Sequence, residues 1–381
     1  MPRFDLCVLG GGLAGSAFAI LMARRGARVA LAEKTRFESL RAGEHLPPEA
    51  RGALRGLRCE AELFESTIIE SPGILSRWMS SVAAFKPYIG HAEGLGLNLT
   101  RREFDAALFR QARRAGVTVH EGASLVSAAR ESGAWEVVLC AGREHVSLGA
   151  DRVVDASGRT SVFARRQGAQ WQSHGDMIAA VGRLRSAHDG PADNLCLHVD
   201  ACPRGWWSVT PTPRDVIATF YASAAVKRRM RLDERRWWEW GLESAPAVRE
   251  RLDRTTTSLE EVRIVPAFPR LLRTMYGADW FAIGDAAATH DPLSGHGIQY
   301  AFESAFRAAE MASADVPLER LGAVYQEAIE ARFTRHIDSR AGAYAEAAPR
   351  FPQSPFWREM GHRIGARAPS ARRMRRSGGT A

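Results

Sequence analysis

Lysine is almost absent from this 381-residue sequence. Of 52 basic residues only Lys34, Lys86 and Lys227 are lysines, so the net charge of +9 is carried by arginine. That bias fits either a GC-rich genome or a basic face that attracts an acidic partner. No nucleic-acid recognition motif accompanies it, so no nucleic-acid partner is expected. Cysteine is sparse and unpatterned: Cys7, Cys59, Cys140, Cys196 and Cys202 form no C-x-x-C pair and no metal-ligand spacing. This argues against a disulfide framework or a metal centre, and for a reduced, cytoplasmic protein. No apolar run approaches the roughly 18 residues of a membrane helix, so no membrane span is expected. The first strand is expected to begin within the first five residues, so no signal peptide is expected. The length suits two domains, and a hydrophobic fraction of 45% with 25% charged residues is that of a globular protein with a sizeable core.

What is present is concentrated at the start. Leu6 to Leu9 is an apolar run that enters Gly10, Gly12 and Gly15 at G-x-G-x-x-G spacing. Ser16 to Arg25 has a helical pattern, and Val29 to Ala32 leads to Glu33. Strand, glycine turn, helix, strand and acid together are the context a dinucleotide site requires. Gly10 permits the turn, Gly12 admits a pyrophosphate, and Gly15 lets the helix approach the strand. Leu13 and Ala14 open the helix whose N-terminus faces the phosphates. Glu33, with Lys34 beside it, is placed to accept hydrogen bonds from an adenosine ribose and disfavours a 2′-phosphate. The stretch alone does not separate FAD from NAD.

Further along, Gly43, Pro47 and Pro48 impose an irregular loop. Leu99 to Ala115 reads as a helix, with Thr100 as N-cap and Glu103 completing a capping box. Strands are expected at Val117 to His120, Trp135 to Cys140 and Arg152 to Asp155, the last meeting a turn at Gly158. Alternating patterns at Met177 to Leu184, Leu195 to Val199 and Asp215 to Ala222 predict an antiparallel sheet, followed by one or two tryptophan-rich helices over Leu232 to Leu252. Trp280 to Ile283 reads as a buried strand before Gly284-Asp285. Ile298 to Ala312 reads as a helix and Leu318 to Ala347 as one long helix or a pair. The expected fold is α/β, a Rossmann-like domain with an inserted α+β antiparallel-sheet domain and C-terminal helices. The expected division is 1–75, 95–168 and 270–312 for the nucleotide domain, 76–94 and 169–269 for the substrate domain, 313–365 for a helical segment, and 366–381 for a disordered basic tail.

Gly10 to Gly15, Glu33, Asp155 to Gly158 and Gly284-Asp285, in this order, resemble the FAD-dependent monooxygenases and halogenases with a glutathione-reductase-like FAD domain. GEHLPP (43–48), SRW (76–78), GLGLNLTRREFD (94–105), GWWSVTPTP (205–213), GDAAATHDPLSGHGI (284–298) and FPQSPFW (351–357) narrow the likeness. They are similar to the tryptophan-halogenase-like subgroup, and most to the maturation flavoenzymes that hydroxylate a peptide- or protein-borne tryptophan in tryptophylquinone biogenesis. The resemblance implies FAD as cofactor and O2 as co-substrate, with reduction by NAD(P)H or by a separate flavin reductase. It implies Asp285 on the ribityl or pyrophosphate part of FAD, and Pro292, Gly295, His296, Gly297 and Ile298 at the flavin's pyrimidine edge. It also places Arg101 and Arg41 beside the cofactor.

Known halogenases of this kind use a lysine and a W-x-W-x-I-P block. Here that block is missing, replaced by Trp206-Trp207-Ser208 with Pro211 and Pro213, and Lys86 is the lysine in a plausible region. The first expectation is therefore hydroxylation through a C4a-hydroperoxide of the reduced flavin, which asks the protein mainly to orient an aromatic ring and exclude water. A base assists rearomatisation, and His45, His91 and His296 are candidates beside their structural readings. Glu44, Asn98, Trp206 and Trp207 are expected to face substrate, the two tryptophans on opposite faces of one strand. Trp237, Trp238 and Trp240 read as packing, or, where exposed, as a docking patch. Halogenation, small-molecule hydroxylation and a noncatalytic flavin-binding chaperone remain as alternatives.

Overall fold

In the computed structural model, residues 1–59, 65–131, 133–187, 195–314 and 316–365 are described, and the expected basic tail at 366–381 lies outside them. The chain is mixed α/β with a Rossmann-like nucleotide fold. Its central sheet runs, edge to edge, Tyr276–Gly277, Trp280–Ala282, Glu144–Asp155, Arg3–Leu9, Val29–Glu33 and Thr118–Glu121. All five residues of Val29–Glu33 are buried, because the helix Leu13–Arg24 and the strand Ala123–Glu131 both pack against this strand and alternation is lost. The helix Leu13–Arg24 lies on this sheet with ten buried residues and packs against the helix Gly297–Ser313. One antiparallel strand, Ala123–Glu131, escapes the sequence reading. It pairs with Ala134–Ala141, and its mostly exposed Ser, Ala and Arg side chains give no clear apolar alternation.

A second sheet has seven strands in the order Thr256–Pro266, Met177–Ser186, Asp215–Ser223, Gly205–Pro211, Leu197–Cys202, Gly73–Arg77 and Ala84–Pro87. Its inner strands are apolar on both faces, so both faces are covered. One face carries Trp206, Tyr221 and Met177 against Trp78, Tyr344 and Trp357. The other carries Trp207, Phe220 and Val209 against Trp237, Trp238 and Leu252. Two helices, Glu234–Glu243 and Pro246–Thr255, cover that second face, and the Asp233 carboxylate caps the first by accepting from the Arg236 N–H at 2.8 Å. Trp237 and Trp238 are thus core residues.

Leu318–Ala347 is a single 30-residue helix that delivers Tyr344 to the Trp206 face, and the following helix, Pro355–Gly365, brings Trp357 there. We propose that the nucleotide and substrate domains divide as the two sheets do. The helix Arg101–Arg114 begins where the sequence places it, but the capping box does not form: Thr100 Oγ1 has no hydrogen-bond partner, and Glu103 lies 3.5 Å from Arg214 instead.

Candidate functional site

The glycine turn shows why its residues are glycines. A side chain at Gly10, where φ is +116°, would meet the Ala156 carbonyl oxygen at 2.2 Å, and one at Gly15 would meet the Gly10 carbonyl oxygen at 1.8 Å. Gly12 faces open space and precedes a helix with no side-chain cap, so the free N–H groups at that helix start remain available to phosphate. Glu33 is buried at the end of its strand and accepts from the Gly11 N–H at 2.8 Å and from the Thr35 hydroxyl at 2.6 Å. Those bonds fix its carboxylate beside the turn. Lys34 next to it is exposed.

Arg41 and Arg101 converge on one carboxylate, Asp105. Arg41 Nη1 lies 2.8 Å from Asp105 Oδ2 and Arg101 Nε 3.0 Å from Asp105 Oδ1. Arg101 also donates to the Ala42 carbonyl at 2.5 Å, which ties the helix start to the 43–48 loop. Asp285 lies within electrostatic reach of Arg159 and Arg101, and burial raises its pKa against their pull. Arg159 went unremarked as a site residue in the sequence, although it ends the Ala156–Arg159 turn. Its Nε is buried without a partner, and burial lowers its pKa to about 10 while Asp285 opposes the shift.

Asp155 requires a correction. Its carboxylate is fully buried and already accepts four hydrogen bonds, from the Ser157 N–H and hydroxyl and from the N–H groups of Phe163 and Ala164. It caps the helix Val162–Arg166 and holds the turn at Gly158 rather than reaching a cofactor.

The loop Asp291–Gly297 is clamped from behind. The Asp291 carboxylate pairs with Arg340 Nε at 2.5 Å and accepts from the Tyr344 hydroxyl at 3.2 Å and the Leu293 N–H at 3.0 Å. Its own N–H donates to His336 Nε2 at 2.8 Å. Trp206 Nε1 donates in turn to the Tyr344 hydroxyl at 3.0 Å, and Trp206 stacks on Tyr221 with centroids 3.7 Å apart. The loop is thereby joined to the long helix and the second sheet. On its outer side Pro292 begins a short 3-10 turn that ends at Gly295, whose φ is +65°. Gly295 and Gly297 face open space, His296 is exposed, and the following helix start, with Ile298 buried in its first turn, has no side-chain cap. The uncapped N–H groups at the start of that helix, with the glycine turn far away in sequence, fit the negatively charged parts of FAD, a reduced flavin ring and the pyrophosphate.

Opposite the loop, Glu44 is buried with Oε1 lacking any partner. Burial raises its pKa to about 7, with Arg101 opposing. A small cleft, open to solvent, lies between Glu44, Arg41 and Arg101 on one side and Arg183, Thr212 and Ile217 on the other.

Four expected substrate or base residues, His45, Asn98, Trp206 and Trp207, are corrected here. His45 is held at both nitrogens, by Asn98 Oδ1 at 2.8 Å and the Tyr88 hydroxyl at 3.0 Å, and burial lowers its pKa to about 4. Asn98 is itself buried and donates to the Leu195 carbonyl at 2.8 Å, so the pair is structural. Trp206 and Trp207 do point to opposite faces, yet both rings are enclosed, one in each core. His91 accepts from the Glu93 N–H and lies 3.4 Å from Glu49, in a surface loop. Lys86 is exposed on the strand Ala84–Pro87. His296 is exposed at the start of the helix Gly297–Ser313.

Residues 3–314 match the FAD binding domain family. The chain is 25% identical over 364 residues to the putative FAD-dependent oxidoreductase LodB of Marinomonas mediterranea, covering 94% of this chain and 96% of LodB. Among solved structures it is similar to CmlS, a flavin-dependent halogenase, with a TM-score of 0.83 and 22% identity over 96% of this chain and 70% of that one. It is also similar to QhpG, a peptidyl tryptophan dihydroxylase essential for tryptophylquinone cofactor biogenesis, with a TM-score of 0.73 and 24% identity over 94% of this chain and 78% of that one. The two structural likenesses extend the shared fold across the second sheet and the C-terminal helices.

Proposed function

Because this chain belongs to the FAD binding domain family and is an FAD-dependent oxidoreductase of the monooxygenase and halogenase kind, we propose that it hydroxylates an aromatic, tryptophan-like residue on a peptide or protein. The observation that carries this reading is Glu44: a buried carboxyl with one unpartnered oxygen beside the cleft, its pKa raised by burial to about 7. A carboxylate so placed and so poised takes the ring proton as an aromatic product is restored. The polypeptide substrate is inferred from QhpG, which acts on peptidyl tryptophan.

Bound FAD, once reduced, supplies with O2 the electrophilic oxygen. Electrons come from NAD(P)H or a flavin reductase. The chain's own groups do the rest. Gly10 to Gly15 with Leu13, Ala14 and Glu33 hold the adenosine and pyrophosphate end, while Asp285, Arg101 and Arg159 hold the middle. The uncapped N–H groups at the start of the helix Gly297–Ser313 would stabilise the negative charge of the reduced state. The clamp on Asp291 keeps that loop in place, so the donors are arranged before reduction occurs.

The test uses the FAD-loaded protein, chemically reduced without oxygen, mixed with a tryptophan-containing peptide and then exposed to labelled O2. The expected product gains labelled oxygen, and the yield drops at least about tenfold in Glu44→Gln. Oxygenation of free tryptophan in preference to the peptide sinks the proposal. A second reading, halogenation, is supported by the likeness to the flavin-dependent halogenase CmlS, with Lys86 as the candidate lysine. A product carrying chlorine or bromine when halide is present establishes that reading instead.

A further inference from the structure

The strand Ala84–Pro87 is the outer edge of the second sheet. Among the described residues it pairs only with Gly73–Arg77, and all four of its residues are exposed. Its surroundings are unusually apolar: of the nine exposed large hydrophobic side chains among the described residues, Met79, Val82, Phe85 and Ile89 fall in or beside this one hairpin, exposed by 52–84%. Phe85 is supported from below, since a side chain at Gly73 would meet its ring at 2.7 Å. The charge is equally one-sided. From Ser71 to Gly90 the chain contains Arg77 and Lys86 and no acidic residue.

Strand alternation assigns these groups to two sides. Phe85 lies opposite Leu75, which is level with His198, while Lys86 lies opposite Ile74, which is level with Leu197. Lys86 therefore shares the face of Val199, which packs into the Trp206 cluster, and this is the face turned to the Asp291 loop. Phe85 is on the other face. A strand laid along this edge sends alternate side chains to the apolar shelf at Phe85 and to the face that carries Lys86.

Resting on the polypeptide substrate proposed above, we infer that the edge strand Ala84–Pro87 docks the substrate by strand addition, as a short, extended, acidic segment. Main-chain hydrogen bonds to the edge supply affinity, an apolar side chain covers Phe85, and a carboxylate meets Lys86. Lys86 and Pro87 are also the residue types that keep an exposed edge from pairing indiscriminately, with Pro87 ending the ladder. They limit the added strand to a few residues and select it by charge.

The test is hydrogen exchange on the full-length, FAD-loaded protein. The probe is an acetylated, amidated nonapeptide with one tryptophan among alternating valine and glutamate. Saturating peptide is expected to slow exchange of the Ala84, Phe85 or Lys86 amides at least about tenfold. N-methylation of alternate peptide amides, exchange of its glutamates for lysine, and Phe85→Asp are each expected to weaken binding about tenfold or more. Phe85→Asp leaves the bound-flavin spectrum and the reoxidation rate without peptide unchanged. Absence of edge protection, or equal binding of the N-methylated peptide, overturns the docking site even if the peptide is oxygenated. Edge protection without oxygenation upholds it and overturns the hydroxylase reading instead.

Discussion

The two ends of the proposed flavin site are built in different ways. The nucleotide end comes from one continuous stretch, Arg3–Glu33, whose glycines are demanded by backbone contacts at 2.2 and 1.8 Å. The reactive end is assembled from segments far apart in sequence: Glu44 in one loop, Arg101 at a helix start, the Asp291–Gly297 loop, and His336, Arg340 and Tyr344 on the long helix. A contiguous motif tolerates little because every position is backbone-limited. A composite site depends on side-chain pairs, and its sensitivity follows how deeply each pair is buried.

Substitutions at the two ends sharpen this contrast. Asp291→Ala leaves the Arg340 guanidinium buried without its carboxylate, and the loss in urea unfolding is expected to be about 3–5 kcal/mol. Glu44 tests the same end through pH. Its folded pKa, about 7, lies above the reference 4.5, so its contribution to stability is complete below about pH 4.5 and is lost as pH rises to about 7. In the FAD-free protein, Glu44→Gln is expected to remove a stability decline on the order of 3 kcal/mol across that window, seen as a flatter profile of melting temperature against pH. At the nucleotide end, Gly10→Val is expected to weaken FAD retention at least about 100-fold, giving colourless protein. Thr100→Ala, at an N-cap whose hydroxyl has no partner, is expected to cost less than about 0.5 kcal/mol, where an effective cap costs about 1. A large loss there restores the capping box that the structure lacks.

The same contrast explains what was readable beforehand. The glycine turn, Glu33 and the Gly284-Asp285 pair are legible because backbone geometry leaves one residue type per position. The alternation that exposed the second sheet is legible for a similar reason. Asp155 was misread because an acid after a buried strand looks identical whether it faces a ligand or caps a helix, and only the N–H groups of Phe163 and Ala164 decide. His45 was misread because its two partners, Asn98 and Tyr88, are 53 and 43 residues away. Trp206 lies 138 residues from the Tyr344 hydroxyl that accepts its hydrogen bond, and no local pattern records such a contact.

The hydrogen bond from the Asp291 N–H to His336 has one more use. An amide nitrogen can only donate, so His336 Nε2 must carry a bare lone pair and the ring proton must sit on Nδ1. Burial, with Arg340 nearby, lowers the His336 pKa to about 4, so that tautomer persists through the neutral range. Nitrogen-15 chemical shifts distinguish a bare imidazole nitrogen from a protonated one. With its histidines labelled, the protein thus carries a magnetic reporter of the flavin-side loop. While the Asp291 amide stays docked the two ring signals stand apart, and loop opening draws them together as the proton is free to exchange between nitrogens.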